Sequence, residues 1–186
     1  MSLRTSFCLT VLFLLTHPDR AVAQTLTGAS AHFPLNELTG DAMDLAGGFV
    51  AKTHGGIRQG VPGVVALAYG LDGQDDYLNL GRSAAVKPVG AFTFTVHFLL
   101  REAPTAASNY YRILDSTGEG GAPAAGSRLQ VYYDAGSNEV RLIAIVMVQG
   151  TRYDTFVELE NPVGWHFAAF VFDPEKNELR IRADGS

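Results

Sequence analysis

The sequence predicts an all-β protein, built as an antiparallel two-sheet sandwich or a barrel. Three observations carry this. No segment sustains a 3.6-residue apolar period between proper caps. Short β-rich runs recur at near-regular spacing, joined by Gly, Asn, Asp and Pro turns. Phe92 to Phe98 alternates cleanly, with Phe92, Phe94, Val96 and Phe98 on one face and Thr93, Thr95 and His97 on the other. That pattern suits a strand with one buried and one wetter face.

The N-terminus precedes this pattern. Arg4 gives a positive start, Phe7 to Leu15 is an apolar run, Pro18 breaks it, and Ala21-Val22-Ala23 is a small-x-small cleavage pattern. Together they predict a signal peptide over 1–23 and a mature domain over 24–186. The run is too short to span a bilayer, so no transmembrane segment is expected once the leader is removed. Cys8 is the sole cysteine and leaves with the leader. The mature domain then has neither a disulfide framework nor a thiol nucleophile. The formal net charge of -5 comes with no basic stripe, which argues against a nucleic-acid partner. The expected location is secreted, either extracellular or periplasmic.

Along the mature chain, Ala31 to Asn36 is a short extended segment that Pro34 confines to an edge or a strand start. Thr39 to Gly63 is Gly-rich and reads as a long, mostly irregular connection. Gly63 to Tyr69 is an apolar strand, followed by the Asp72-Gly73 turn and a short strand from Tyr77 to Leu80. These read as one strand, turn, strand unit with acids at the bend. Tyr110 to Asp115 is another strand, followed by a Gly/Ala/Pro-rich loop over Ser116 to Gly126. Arg128 to Tyr133 and Glu139 to Gln149 flank the hairpin loop Asp134 to Asn138. The second of these strands is apolar on both faces at its centre and should be central in its sheet. Arg152 to Glu160 is next, then the Asn161 to Gly164 turn. Trp165 to Phe172, the Asp173 to Asn177 hairpin loop and Glu178 to Ala183 complete the series.

In this order, several motifs carry a resemblance. They are Leu71-Asp72-Gly73-Gln74-Asp75-Asp76-Tyr77-Leu78, Phe92-Thr93-Phe94-Thr95-Val96, Trp165-His166-Phe167-Ala168 and Leu179-Arg180-Ile181-Arg182-Ala183-Asp184-Gly185. They resemble the bacterial secreted type of laminin-G-like domain (LamG), within the concanavalin A-like lectin/glucanase superfamily. The resemblance implies a jelly-roll β sandwich over nearly all of the mature chain. Leu71 stands where that pattern has Phe. Members of the family continue for a few strands past the point matching Ser186, so the resemblance implies a fragment whose last strands are missing.

Asp72, Asp75 and Asp76 are the first metal candidates, because clustered carboxylates on a loop suit Ca²⁺. The competing reading is structural: Asp72 holds the turn, and Asp75 or Asp76 accepts backbone N–H bonds. The resemblance adds Asp115 and Glu119 as secondary calcium candidates. No catalytic residue is predicted. The paired acids of the superfamily's glucanases have no counterpart, and Glu158-Leu159-Glu160 reads as a solvated edge. Gly118-Glu119-Gly120-Gly121 reads as a flexible loop. His97 reads as exposed or hydrogen-bonded, and His166 as a structural strand residue. Tyr110, Tyr111, Tyr132, Tyr133 and Tyr153 offer stacking platforms for sugars, although packing accounts for most of them. The expected function is a secreted, non-catalytic binding module for carbohydrate or a cell-surface protein, with Ca²⁺ as the one cofactor in view. The alternatives are a glycoside hydrolase or lyase domain of the same superfamily, and a structural spacer in a larger surface protein.

Overall fold

A computed structural model describes residues 7–10, 28–82, 86, 90–108, 110–117 and 125–185. Among these the chain is all-β, with no helix. The strands are β1 (Phe7–Thr10), β2 (Ala42–Met43), β3 (Val50–His54), β4 (Arg58–Pro62), β5 (Leu67–Leu71), β6 (Tyr77–Asn79) and β7 (Phe92–Leu100). The series continues with β8 (Tyr110–Asp115), β9 (Ala125–Asp134), β10 (Glu139–Val148), β11 (Thr151–Glu158), β12 (Gly164–Asp173) and β13 (Glu178–Ala183). They form a six-stranded sheet β13-β12-β7-β1-β5-β4, a four-stranded sheet β11-β10-β9-β8 and a small sheet β2-β3-β6.

The two larger sheets share one core. Val96, Phe98 and Leu100 of β7 and Phe170 of β12 pack in one cluster with Leu129 and Val131 of β9 and Leu142, Ala144 and Val146 of β10. Face-to-face packing of this kind is that of a β sandwich. Alternation along β7 places its residues as expected: Val96 and Phe98 are fully buried, and Phe92 and Phe94 pack at the margin of the cluster. Burying one such side chain stabilises the fold by roughly 1.5–3 kcal/mol. β10 lies between β9 and β11, and Leu142 through Val146 are all buried, as its two apolar faces require. The β9–β10 and β12–β13 hairpins turn where the sequence places them, with Asn138 and Asn177 at positive φ. Asn tolerates that conformation better than most residues.

Three expectations need correction. Thr39 to Gly63 is not mainly irregular, because it holds β2, β3 and β4. Its glycines serve turns and a bulge, with Gly60 at φ 71° where the β4–β5 register shifts. Next, β5 and β6 do not pair as a hairpin: β5 pairs with β4 and β1, while β6 pairs with β3. Finally, Ala31 to Asn36 forms no strand. Its hold on the fold comes from side chains. Phe33 and Leu35 join Ala42, Ala51 and Tyr69 in a second core. Of the apolar N-terminal run, Phe7–Thr10 is β1, and Val11 to Leu15 lie outside the described residues.

Candidate functional site

The bend between β5 and β6 brings Asp72, Asp75 and Asp76 together, each with a carboxylate oxygen within 4.8 Å of the others. Most of those oxygens are already engaged. Asp72 Oδ1 accepts the Gln74 backbone N–H at 2.8 Å, and its Oδ2 accepts the Gln74 side-chain amide at 3.0 Å. Asp76 Oδ2 accepts the Asp72 N–H at 2.8 Å, and its Oδ1 accepts the Gly56 N–H. Asp76 thus ties the β5–β6 bend to the β3–β4 turn. Asp75 is exposed at the tip. A cation here would take one or two oxygens from each carboxylate and complete its shell with water, since Ca²⁺ needs six to eight oxygens.

The secondary candidates do not join this group. Asp115 ends β8 in the four-stranded sheet, and its carboxylate is held by Thr117 (Oγ1 at 2.6 Å, N at 2.9 Å) and by Arg128 at 3.0 Å. Burial pushes this carboxyl up, but the Thr117 and Arg128 donors outweigh it and hold it below the usual range. Glu119, with its Gly-rich loop, lies outside the described residues. Glu158 and Glu160 are both exposed, and Leu159 between them is buried.

Two histidines differ from each other. His97 is half-buried against Phe167, with ring centroids 4.9 Å apart, and its Nδ1 has no partner. His97 is thus neither fully exposed nor hydrogen-bonded through Nδ1. Leu99 and Trp165 pack on this side of the sheet, so it is less wet than the alternation suggests. Burial pushes the His97 imidazole down. His166 is a structural tie: Nδ1 lies 2.7 Å from Asp184 Oδ2 and Nε2 lies 3.0 Å from the Pro162 carbonyl oxygen.

The outer face of the four-stranded sheet holds a site that only part of the sequence reading reached. Pairing aligns Tyr110 with Tyr132, Tyr132 with Arg141, Gln130 with Ile143, and Ile143 with Phe156. Because side chains alternate in direction along each strand, these positions all stand on the face away from the core. Together with Arg152 and Asp154 they line an open hollow of about 300 Å³. Ile143 is its buried floor, and Tyr110 and Phe156 stand exposed at opposite sides. Arg141 lies under Phe156, its guanidinium carbon 4.2 Å from the ring centroid, and is itself held by Asp134 and Glu139. That stack fixes the ring plane with an attraction of roughly 0.5–1 kcal/mol. Arg152 Nε donates to Asp154 Oδ1 at 3.0 Å.

Of the five tyrosines named as platforms, Tyr110 and Tyr132 meet here. Tyr111 packs against the main core, and Tyr133 donates its hydroxyl to Asn138 Oδ1 at 2.6 Å within the hairpin. Tyr153, exposed, pairs with Val146 and stands one residue out of phase with the site. Phe156 was missed. The signal was the two-residue spacing of Arg152, Asp154 and Phe156 on one strand. Compared with family models, curated proteins and solved structures, the chain matches none.

Proposed function

We propose that the chain is a secreted, non-catalytic carbohydrate-binding module of laminin-G-like jelly-roll type, with residues 1–23 as its leader. Its ligand lies across the outer face of the four-stranded sheet. One observation carries this reading: Tyr110, Tyr132 and Phe156 surround a hollow whose polar groups are Gln130, Arg152 and Asp154. Sugar rings present apolar C–H faces and a rim of hydroxyls. Flat aromatic walls take the first, and side chains that both donate and accept take the second. Each arginine of the face has a carboxylate partner: Arg112 and Arg128 share Asp115, Arg141 holds Asp134 and Glu139, and Arg152 holds Asp154. The charge is thereby balanced, which favours a neutral glycan over an anionic one.

Titration calorimetry with soluble neutral and uronate-rich polysaccharides tests the reading. Binding of a neutral polymer is expected. Tyr110→Ala and Phe156→Ala should each weaken it several-fold, which corresponds to about 0.5–1.5 kcal/mol for one aromatic contact. Both side chains are exposed, so the melting temperature should fall only slightly, by the loss of the Arg112 stack on Tyr110 or the Arg141 stack on Phe156. Glycan binding indifferent to both substitutions would move the site elsewhere, and no binding to any polymer would remove the proposal.

Calcium at Asp72, Asp75 and Asp76 is a second reading, favoured by the convergence of their oxygens within 4.8 Å. It would brace the bend from which the small sheet departs.

A further inference from the structure

The arginines on the outer face of the four-stranded sheet are not alike. Arg141 is held by Asp134 and Glu139, packs against Phe156, and its side chain is 16% exposed. Arg128 donates to Thr117 Oγ1 at 2.7 Å and pairs with Asp115 at 3.0 Å. Arg112 pairs with the same carboxylate at 3.2 Å and lies over the Tyr110 ring, 5.0 Å from its centroid. None of these three lines the hollow, and Arg152 does. Arg152 is also the most loosely held. Its side chain is 55% exposed, and among the described residues Asp154 is its one ion-pair partner, through Nε at 3.0 Å. Among those residues, its Nη1 and Nη2 groups donate to nothing else.

We propose that Asp154 sets the charge preference of this site, by occupying Arg152 and so holding off anionic glycans. This rests on the neutral-glycan reading and names the residue that enforces it. A guanidinium is a planar fork that matches a carboxylate with two parallel hydrogen bonds. Unpaired in a sugar hollow, Arg152 would take the carboxylate of a uronate unit. Asp154 opposes this twice. It accepts the Nε–H, and its own charge stands beside the place a uronate would occupy, where like charges repel. A neutral unit meets no such repulsion. Its hydroxyls accept from Nη1 and Nη2 and donate to Asp154 Oδ2. Among the described carboxylates of this face, no other stands near enough to substitute. Pairing aligns Asp154 with Ile145, Ile145 with Arg128 and Arg128 with Asp115. Asp115 is therefore three strands away, about 14 Å. Glu158 is six residues from Arg152 on β11, about 20 Å along the strand. Both lie beyond the screening length of about 8 Å at physiological salt. Asp134 and Glu139 are engaged by Arg141.

Titration calorimetry on the full chain tests this through the ratio of two dissociation constants, in which a general loss of affinity cancels. The probes are soluble β-glucan, galactan and mannan oligosaccharides, each beside the uronate form made by oxidising its primary hydroxyls. The wild type should favour the neutral member of a pair. Asp154→Asn should shift the ratio toward the uronate by about fivefold, the scale of one exposed ion pair. Raised salt should shrink the shift. Asp154→Ser, which also removes the charge, should move the ratio in the same direction. Adding Arg152→Gln to Asp154→Asn should cancel it. A ratio unmoved by Asp154→Asn and Asp154→Ser, in a chain whose neutral binding needs Tyr110 and Phe156, overturns the assignment and leaves the neutral-glycan reading standing. A shift that survives Arg152→Gln puts the anion elsewhere and also overturns it. A wild type that binds no neutral probe, with uronate binding gained on Asp154→Asn and lost again with Arg152→Gln, supports the role of Asp154 and overturns the neutral-glycan reading. Binding to none of the probes by any of these chains overturns both.

Discussion

Gly55 and Asp76 fit each other so closely that a Cβ on Gly55 would lie 2.5 Å from Asp76 Oδ1 and 2.7 Å from the Asp75 carbonyl oxygen. Gly55 also sits at φ +75°, where a side chain is strained. The tight β3–β4 turn and the acidic bend are thus pressed together at a point only glycine can occupy. Gly55→Ala should cost more than the about 1–3 kcal/mol expected from backbone strain alone. Gly150→Ala is the control, because Gly150 has φ +79° but nothing within 4 Å of the added methyl. Urea unfolding should rank Gly55→Ala below Gly150→Ala. Equal losses would mean that the contact yields freely.

The same bend separates the structural and metal roles of its acids. Asp76 holds the backbone N–H groups of Asp72 and Gly56. Asp76→Ala should therefore lose about 1.5–3 kcal/mol for each bond made to a charged acceptor. Asp75→Asn, at the exposed tip, should cost little. A cation bound only by the folded state would raise the melting temperature, by about 2.7 kcal/mol of stability at a hundredfold excess over Kd. Asp75→Asn would blunt that response. The hydrogen-bonding pattern favours the structural role, so the expected outcome is a wild-type melting curve unmoved by Ca²⁺ or chelator, together with an unstable Asp76→Ala. A Ca²⁺ response that Asp75→Asn abolishes would reverse this assignment.

Phe98 and Thr93 test the register of β7. Phe98 is fully buried in the main core and Thr93 is exposed. Phe98→Ala should cost about 3–5 kcal/mol, and Thr93→Ala a small fraction of that. Comparable losses at both positions would mean a register slipped by one residue, which swaps the two faces.

The strands most legible in the sequence were those whose own residues decide them. Phe92 to Phe98 alternates, Val140 to Val148 is apolar on both faces at its centre, and Asp134 to Asn138 and Asp173 to Asn177 carry turn chemistry. β2, β3 and β4 were hidden because their segment is rich in Gly and polar residues. Pairing, rather than propensity, makes them strands. Asp72-Gly73 reads as the turn of one strand, turn, strand unit because a local signal cannot report that the two flanking strands enter different sheets. The sheet face was half legible. Tyr110 and Tyr132 stand out as aromatics, and the two-residue spacing of Arg152, Asp154 and Phe156 puts those three on one face of β11, but bringing that face beside the tyrosines needs the register of four strands at once, a long-range property.

The leader has its own measurement. Export of the chain with cleavage after Ala23 should yield a product beginning at Gln24 or within a couple of residues. Edman sequencing or intact mass of the exported protein reads this directly. Recovery of Met1 on exported material would make Phe7–Thr10 a permanent strand of the sheet.

Asp44 gives a pH-dependent prediction with a definite sign. The side chain is buried, and its carboxylate accepts the backbone N–H groups of His32 at 2.6 Å, Gly47 at 2.7 Å, Ala46 at 2.9 Å and Phe49 at 3.4 Å. Burial pushes the carboxyl up, but the four donors outweigh it and hold it below its ordinary value. The folded state therefore prefers the ionised form more strongly than the unfolded chain does. That preference contributes fully above the unfolded value, near about pH 3.9. It is lost as the pH falls through the lower, folded value, because protonation then weakens all four bonds. Asp44→Ala should cost at least about 3 kcal/mol at neutral pH, the scale of two bonds to a charged acceptor. Asp44→Asn retains one carbonyl oxygen and should fall between. Urea midpoints measured from pH 7 down to pH 2 should converge for wild type and Asp44→Asn at the acid end. A gap that stays constant across that range would show that the charge on Asp44 contributes nothing, and that shape alone holds His32 and Phe49 in place.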